Sequence, residues 1–348
     1  MNQVLRLLAG AAVSLVGALL AVWGSIPLPW MLGPLILVAA VRMAGGPVQS
    51  ATWLRNIGQW AIGVSLGLYF TPFVLGVIGR NILPILFGML LALVIGLMGT
   101  FFIKKVGNVD LKTAWFSAAI GGASEMTTLA ERYGGRSDLV ASAHSLRILT
   151  VVLVIPFAFQ AWGVVGIDGL VPGPKIVDYL GLSILGAATA CSALIAGWLR
   201  LPNGWVLGPM FVAMALTMGG IELSALPEFV PKFGQLLIGW SLGDRFRSSF
   251  FRAAPRFLFS VLLFTFGAIG LAFGVAAVLE LMTTVPLPTV FLGLAPGGIA
   301  EMAITAKVLK LGVPLVTAFH VTRMAMVVIL TGPLYVCFIQ RHCDVSVQ

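Results

Sequence analysis

Charge is what this sequence has least of. Asp, Glu, Lys and Arg make up only 9% of its 348 residues, against 59% hydrophobic residues and a mean hydropathy of +1.05. An ordinary soluble domain carries about 25% charge, so a water-soluble globule is excluded. Cysteine and histidine are scarce too, with three of each. Cys191, Cys337 and Cys343 show neither disulfide nor metal spacing, and the first two lie in apolar stretches, as buried small hydrophobes would. Three histidines, one of them His342 near the end, do not supply the clustered ligand set that copper or iron oxidation needs. Long hydrophilic segments are missing as well. The longest loops run to about a dozen residues, too short for a folded nucleic-acid-binding module. The net charge of +9 therefore reads as cytoplasmic loops facing anionic lipid, with no nucleic-acid partner.

Apolar blocks of roughly 18–25 residues are what is there, about the length that crosses a ~30 Å hydrocarbon layer as a helix. They are continuous rather than alternating, which excludes a transmembrane barrel. The expectation is an all-α polytopic membrane protein. Residues 1–27 resemble a signal peptide, with Arg6 ahead of an apolar run, but lack a clear small-x-small cleavage site. They also have a counterpart in mid-chain, so the reading is a retained first helix.

The chain repeats itself. "LPWMLGP" (28–34) returns as "NGWVLGP" (203–209), and "IGQWAIGVSLG" (57–67) as "FGQLLIGWSLG" (233–243). "IGGASEM" (120–126) returns as "PGGIAEM" (296–302), and "HSLRI" (144–148) as "HVTRM" (320–324). The offset is 175 for the first pair and 176 for the others, in unbroken order, which marks a duplicated unit. The division is a first membrane repeat over 1–166, a Gly/Pro-rich linker over 167–177 and a second repeat over 178–348. Each half shows six apolar elements; the third of the first half covers 56–78. The fifth elements, 113–130 and 288–309, are interrupted by Gly121–Gly122 and by Pro296–Gly297–Gly298, leaving pieces too short to span alone.

Loop charges discriminate between a broken crossing and a re-entrant hairpin. If all twelve elements cross with the N-terminus inside, the basic residues divide nine inside and ten outside, with no bias. If the two fifth elements re-enter, Arg6, Arg42, Arg55, Lys104, Lys105, Lys112, Arg132, Arg136, Arg200, Arg245, Arg247, Arg252, Arg256 and Arg341 lie inside. Only Arg80, Lys175, Lys232, Lys307 and Lys310 then lie outside, fourteen against five. The positive-inside rule selects the second arrangement: about ten transmembrane helices plus two re-entrant or broken helices. Five crossings per half make the two repeats inverted, and in inverted-repeat transporters the interrupted segments flank the site near the midplane.

The ionisable residues within the apolar elements repeat with the rest. Glu125 and Glu301 follow the glycine breaks; His144 and His320 come nineteen residues later, with Arg147 and Arg323 three further on. Three-residue spacing puts His and Arg on one helix face. An unpaired guanidinium at such depth costs at least ~2.5–3.5 kcal/mol, so each arginine needs a carboxylate partner or a water-filled cavity, and its glutamate is the candidate partner. Gly121, Gly122, Gly297 and Gly298 offer backbone N–H groups to an anion at a half-helix N-terminus. Arg offers a bidentate fork, and Glu and His can change charge. The bland alternative is a pair of ionic fasteners that dock each hairpin on the helix behind it. Ser124 stands where the second copy has Ala300, so the copies are not chemically equivalent. Gln59, Gln235, Ser65 and Ser241 sit among small residues that suit close helix packing.

The paired "GGxxEM" and "HxxR" motifs, with "W(M/V)LGP" and the "GQ…SLG" signature in duplicate, resemble the AbrB-duplication membrane family over about residues 10–340. The resemblance implies an inner-membrane protein of poorly defined activity, labelled regulator or ammonia monooxygenase. The expectation is a secondary transporter in the inner (cytoplasmic) membrane, N-terminus cytoplasmic, moving a small anionic or zwitterionic solute coupled to protons or sodium. The alternative is a membrane sensor that affects gene expression. An enzyme ranks last, and no cofactor or metal is expected. The partners are the solute and the bilayer, and a homo-oligomer is compatible with the composition.

Overall fold

A computed structural model describes residues 2–164, 166, 176–247, 250 and 254–337. Most of the predicted linker, 167–175, lies outside these residues, as do Lys175, Arg252, Arg341, His342 and Cys343. Among the described residues the regular structure is entirely helical, in fifteen α-helices. The first repeat contributes α1 (Gln3–Trp23), α2 (Pro29–Met43), α3 (Thr52–Gly67), α4 (Pro72–Arg80), α5 (Ile82–Gly107), α6 (Leu111–Ala118), α7 (Ala123–Arg132) and α8 (Ser137–Ala161). The second contributes α9 (Tyr179–Trp198), α10 (Gly204–Met218), α11 (Phe229–Gly243), α12 (Pro255–Met282), α13 (Leu287–Leu294), α14 (Ile299–Val308) and α15 (Val313–Tyr335).

Six of these, α1, α5, α8, α9, α12 and α15, are long and apolar enough to cross a bilayer. Their bare faces fit that solvent: on α5, Leu83 is 75% exposed and Phe101 61%, and on α9, Leu180 is 72% exposed. Continuous apolar surface of this kind is rare on soluble monomers. By length and composition these are the helices of a membrane-like helical protein. One predicted element differs in form: 56–78 is not a single helix but α3 and α4, bent by 87°. Pro72 explains the break, since it lacks an N–H and steers Thr71 away from helical dihedrals.

The chain forms two compact units, and each draws on both sequence halves. The first comprises Met1–Arg80, Val152–Phe250 and Ala300–Thr317, and so holds α1–α4, α9–α11, α14 and the ends of α8 and α15. Glycines set its packing. A Cβ on Gly63 or Gly67 would meet the carbonyl of Val206 or Met210 on α10. A Cβ on Gly239 or Gly243 would likewise meet the carbonyl of Met31 or Leu35 on α2. These contacts are copies of one another: α3 lies on α10 as α11 lies on α2. The duplication extends to the backbone. Leu28 and Asn203, which precede α2 and α10, are both left-handed, with φ of 48° and 51°.

The second unit comprises Asn81–Val151, Phe251–Ile299 and the chain from Ala318 onward. It holds α5, α6, α7, α12, α13 and the larger parts of α8 and α15. Its core gathers Trp115, Phe116, Met126, Val140, Val327 and Tyr335. Phe116, Tyr133 and Tyr335 stack in one group, with ring centroids 4.8–5.8 Å apart. Trp115 Nε1 donates to the Thr331 carbonyl at 3.2 Å. The last helix of the second repeat is thus packed against the interrupted element of the first.

Candidate functional site

Both fifth elements are interrupted helices. α6 ends at Ala118 with Ala119 as its extended C-cap (φ −56°, ψ 127°), and α7 begins after Gly122. α13 ends at Leu294 with Ala295 in the same conformation (φ −55°, ψ 141°), and α14 begins at Ile299. The pieces are eight and ten residues long in each copy. Every helix end leaves carbonyls without intrahelical partners, and here those ends lie inside an apolar unit.

Histidine and arginine answer those carbonyls. Arg147 donates from Nη1 to the Ala119 carbonyl at 2.8 Å and from Nη2 to that of Gly121 at 3.2 Å, while His144 Nε2 meets the Phe116 carbonyl at 2.9 Å. The second copy repeats each bond 176 residues on. Arg323 Nη1 and Nη2 donate to Ala295 and Gly297, both at 2.6 Å, and His320 Nε2 meets the Leu292 carbonyl at 2.8 Å. The α6 and α13 C-termini carry the negative pole of the helix dipole, which suits a cation there. His320 Nδ1 receives a further bond from Arg323 Nη2 at 2.8 Å. Arginine can only donate and a carbonyl can only accept, so His320 is neutral, with its proton on Nε2 and both nitrogens engaged.

The expected Glu125–Arg147 pair is therefore corrected. Ion pairs among the described residues include Arg42–Asp244, Arg136–Asp138 and Lys232–Glu228. Glu125 instead occupies the first turn of α7, where its carboxylate folds over Gly122 and accepts from Ser124 Oγ at 3.1 Å. This is the position from which a glutamate reaches back in a capping box, and a Cβ on Gly122 would collide with the carboxylate. Arg323 likewise bonds carbonyls, those of Ala295 and Gly297.

Gly121, Gly122, Ser124, Glu125, His144, Arg147, Gly297, Gly298, His320 and Arg323 thus belong to one unit. Within it Arg147 and Arg323 are both buried. Among the described residues, neither Nε has a hydrogen-bond partner.

Glu301 belongs to the other unit, which also holds Arg55 and Arg245. Further along α14, Lys307 donates to Ser65 Oγ at 2.7 Å and lies 5.4 Å from the centre of the Tyr69 ring. By sequence pattern Arg55, Arg245 and Lys307 stand only as loop charges. For Lys307 a signal existed: it falls within the predicted element 288–309, six residues beyond Glu301.

The family profile described as "Transition state regulatory protein AbrB" matches residues 30–339, nearly the whole chain. The chain belongs to the AbrB family. Two relatives align over similar lengths. "Uncharacterized protein YhjN" of Bacillus subtilis (strain 168) is 26% identical over 93% of this chain and 91% of its own length. "Putative regulator AbrB" of Escherichia coli (strain K12) is 26% identical over 91% of each chain. The membership accords with the motif resemblance, in which both interruptions and both "HxxR" helices lie within the matched region.

Proposed function

We propose that this AbrB-family protein is a secondary transporter of the cytoplasmic membrane that carries a small anionic or zwitterionic solute by proton coupling. The observation that carries this reading is the pair of buried guanidiniums, Arg147 and Arg323, each held by the carbonyls of a helix interruption. Charges held in an apolar unit are costly. An anion near them lowers that cost, and each arginine retains an unbonded Nε–H to offer. Glu125 supplies the coupling group. It stands in the first turn of α7, beside the half-helix N-terminus whose amide groups suit a solute carboxylate or phosphate.

The accompanying topology is two inverted repeats with ten crossings, α6–α7 and α13–α14 serving as half-helix pairs and the N-terminus cytoplasmic. The fourteen-to-five division of basic residues supports it. Cysteines introduced at Arg132, the last residue of α7, and at Lys310, just beyond α14, should be labelled from the inside and the outside respectively. Labelling of both from the same side rejects the inversion.

Transport itself is tested in proteoliposomes, by following pH-gradient-driven uptake across a panel of radiolabelled carboxylates, amino acids and phosphate esters. Glu125→Gln should uncouple uptake from the gradient, and Arg147→Gln should abolish it. The name of the Escherichia coli relative favours a sensor as the second reading. Solute-dependent thermal stabilisation with no flux for any compound would select it.

A further inference from the structure

The second unit contains an apolar pocket of about 170 Å³ between α5, the α6 end and α15. Ala92, Gly96 and Leu97 form one wall, Trp115 and Ile120 the second, and Val327 the third. Its polar atoms are already engaged. Thr100 Oγ1 donates to the Gly96 carbonyl at 2.8 Å, Trp115 Nε1 to Thr331, and the Ala119 carbonyl accepts from Arg147. With no polar group left to recognise, a charged or hydrogen-bonding ligand has nothing to hold here. Apolar cavities of this size, about 150 Å³ in a well-studied case, stay dry and accept small hydrocarbons.

The internal duplication shows what such a space accommodates. At the 176-residue offset, Gly96 corresponds to Ala272, Leu97 to Phe273 and Trp115 to Phe291. In the second copy Phe273 and Phe291 meet edge to face, with centroids 5.5 Å apart and planes at 85°. A protein ring therefore stands where the first copy has open space. Leu97 and its neighbour Val94 are half exposed on the bare apolar face of α5, so the pocket borders the surface that hydrocarbon chains cover in a bilayer.

We propose that this pocket binds one hydrocarbon tail of a bilayer lipid, which takes the place that Phe273 fills in the second copy. The seated tail abuts Ala119 and Ile120, the residues that close the first half-helix and carry the carbonyl gripped by Arg147. Lipid occupancy thereby braces one interruption from behind, while the other is braced by the chain itself. The inference needs the membrane setting but not the transport reading, and it stands if the protein carries no solute.

The test uses the full-length protein in liposomes doped with a phospholipid bearing a photoactivatable diazirine in its acyl chain. After illumination, digestion and mass spectrometry, adducts should concentrate on residues 92–100 and 327–334. The corresponding face of α12 should carry few. Leu97→Phe, which copies the second repeat, should lower the pocket adducts several-fold and leave those on α9, a helix of the first unit, unchanged. Gly96→Val is the second variant, since a Cβ there has 3.7 Å to its nearest neighbours and projects towards the same space. Adducts equally dense on α12, or unaltered in both folded variants, overturn the proposal.

Discussion

Arg147 holds the carbonyl of Ala119 at 2.8 Å, and Arg323 repeats the bond on Ala295 at 2.6 Å. Each arginine acts as a C-terminal cap donated by another helix. It satisfies two carbonyls at an interruption that would otherwise expose them to an apolar interior, where an unmet polar group costs several kcal/mol. Lysine cannot span both carbonyls with a planar fork. Arg323→Lys should therefore lose about 1.5–3 kcal/mol of stability, the worth of one charge-assisted bond. Denaturant unfolding in detergent reads this; a stability equal to wild type would refute the capping role.

The same geometry separates Glu125 from Arg147 energetically. A double-mutant cycle of Glu125→Gln and Arg147→Gln should give a coupling energy within about 0.5 kcal/mol of zero, as independent sites do. Arg147→Gln alone should cost more than Glu125→Gln, because it leaves helix-end carbonyls unpaired whereas Glu125 bonds only its neighbour Ser124. A coupling of several kcal/mol would restore the ion pair expected from sequence.

Much of this was legible in the order of residues. The duplicated motifs located both interruptions, because a glycine pair or Pro-Gly-Gly inside an apolar block breaks a helix wherever it falls. They also placed His and Arg on one helix face, and the hydrogen bonds from α8 and α15 follow from that spacing. The partner of Arg147 was not legible. Sequence pattern weighs charge against charge and does not count the backbone carbonyls that an interruption sets free. Glu301 escaped for another reason. Arg55 and Arg245 of the same unit lie 246 and 56 residues from it, distances that no local pattern bridges. The turn at Pro72 was visible but was absorbed into an unbroken apolar run.

Glycines on α3 and α5 should respond in opposite senses. At Gly63 a Cβ would be driven into the backbone carbonyl of Val206, which cannot move aside without displacing α10. Gly63→Ala should cost about 1–3 kcal/mol, as overpacking does. At Gly96 the nearest atoms stand 3.7 Å away, so Gly96→Ala should be neutral or stabilise by up to about 1 kcal/mol through helix propensity. Thermal unfolding of the two variants in the same detergent gives the comparison, and equal shifts would show that α3 does not rest on α10 as described.

Lys307 provides the clearest test of a charge that the sequence reading treated as peripheral. Its ammonium is bonded to the buried hydroxyl of Ser65 and lies near the Tyr69 ring. Ser65→Ala removes the acceptor and leaves the ammonium with the ring alone, a change expected to cost about 1–3 kcal/mol. Lys307→Met keeps the apolar stem, and the double variant removes both partners, so its cost should fall below that of Ser65→Ala alone. Because an unpaired partner left behind accounts for most of the penalty, the order of the three stabilities matters more than any single value. If the double variant is the least stable of the three, Lys307 is held by something other than Ser65.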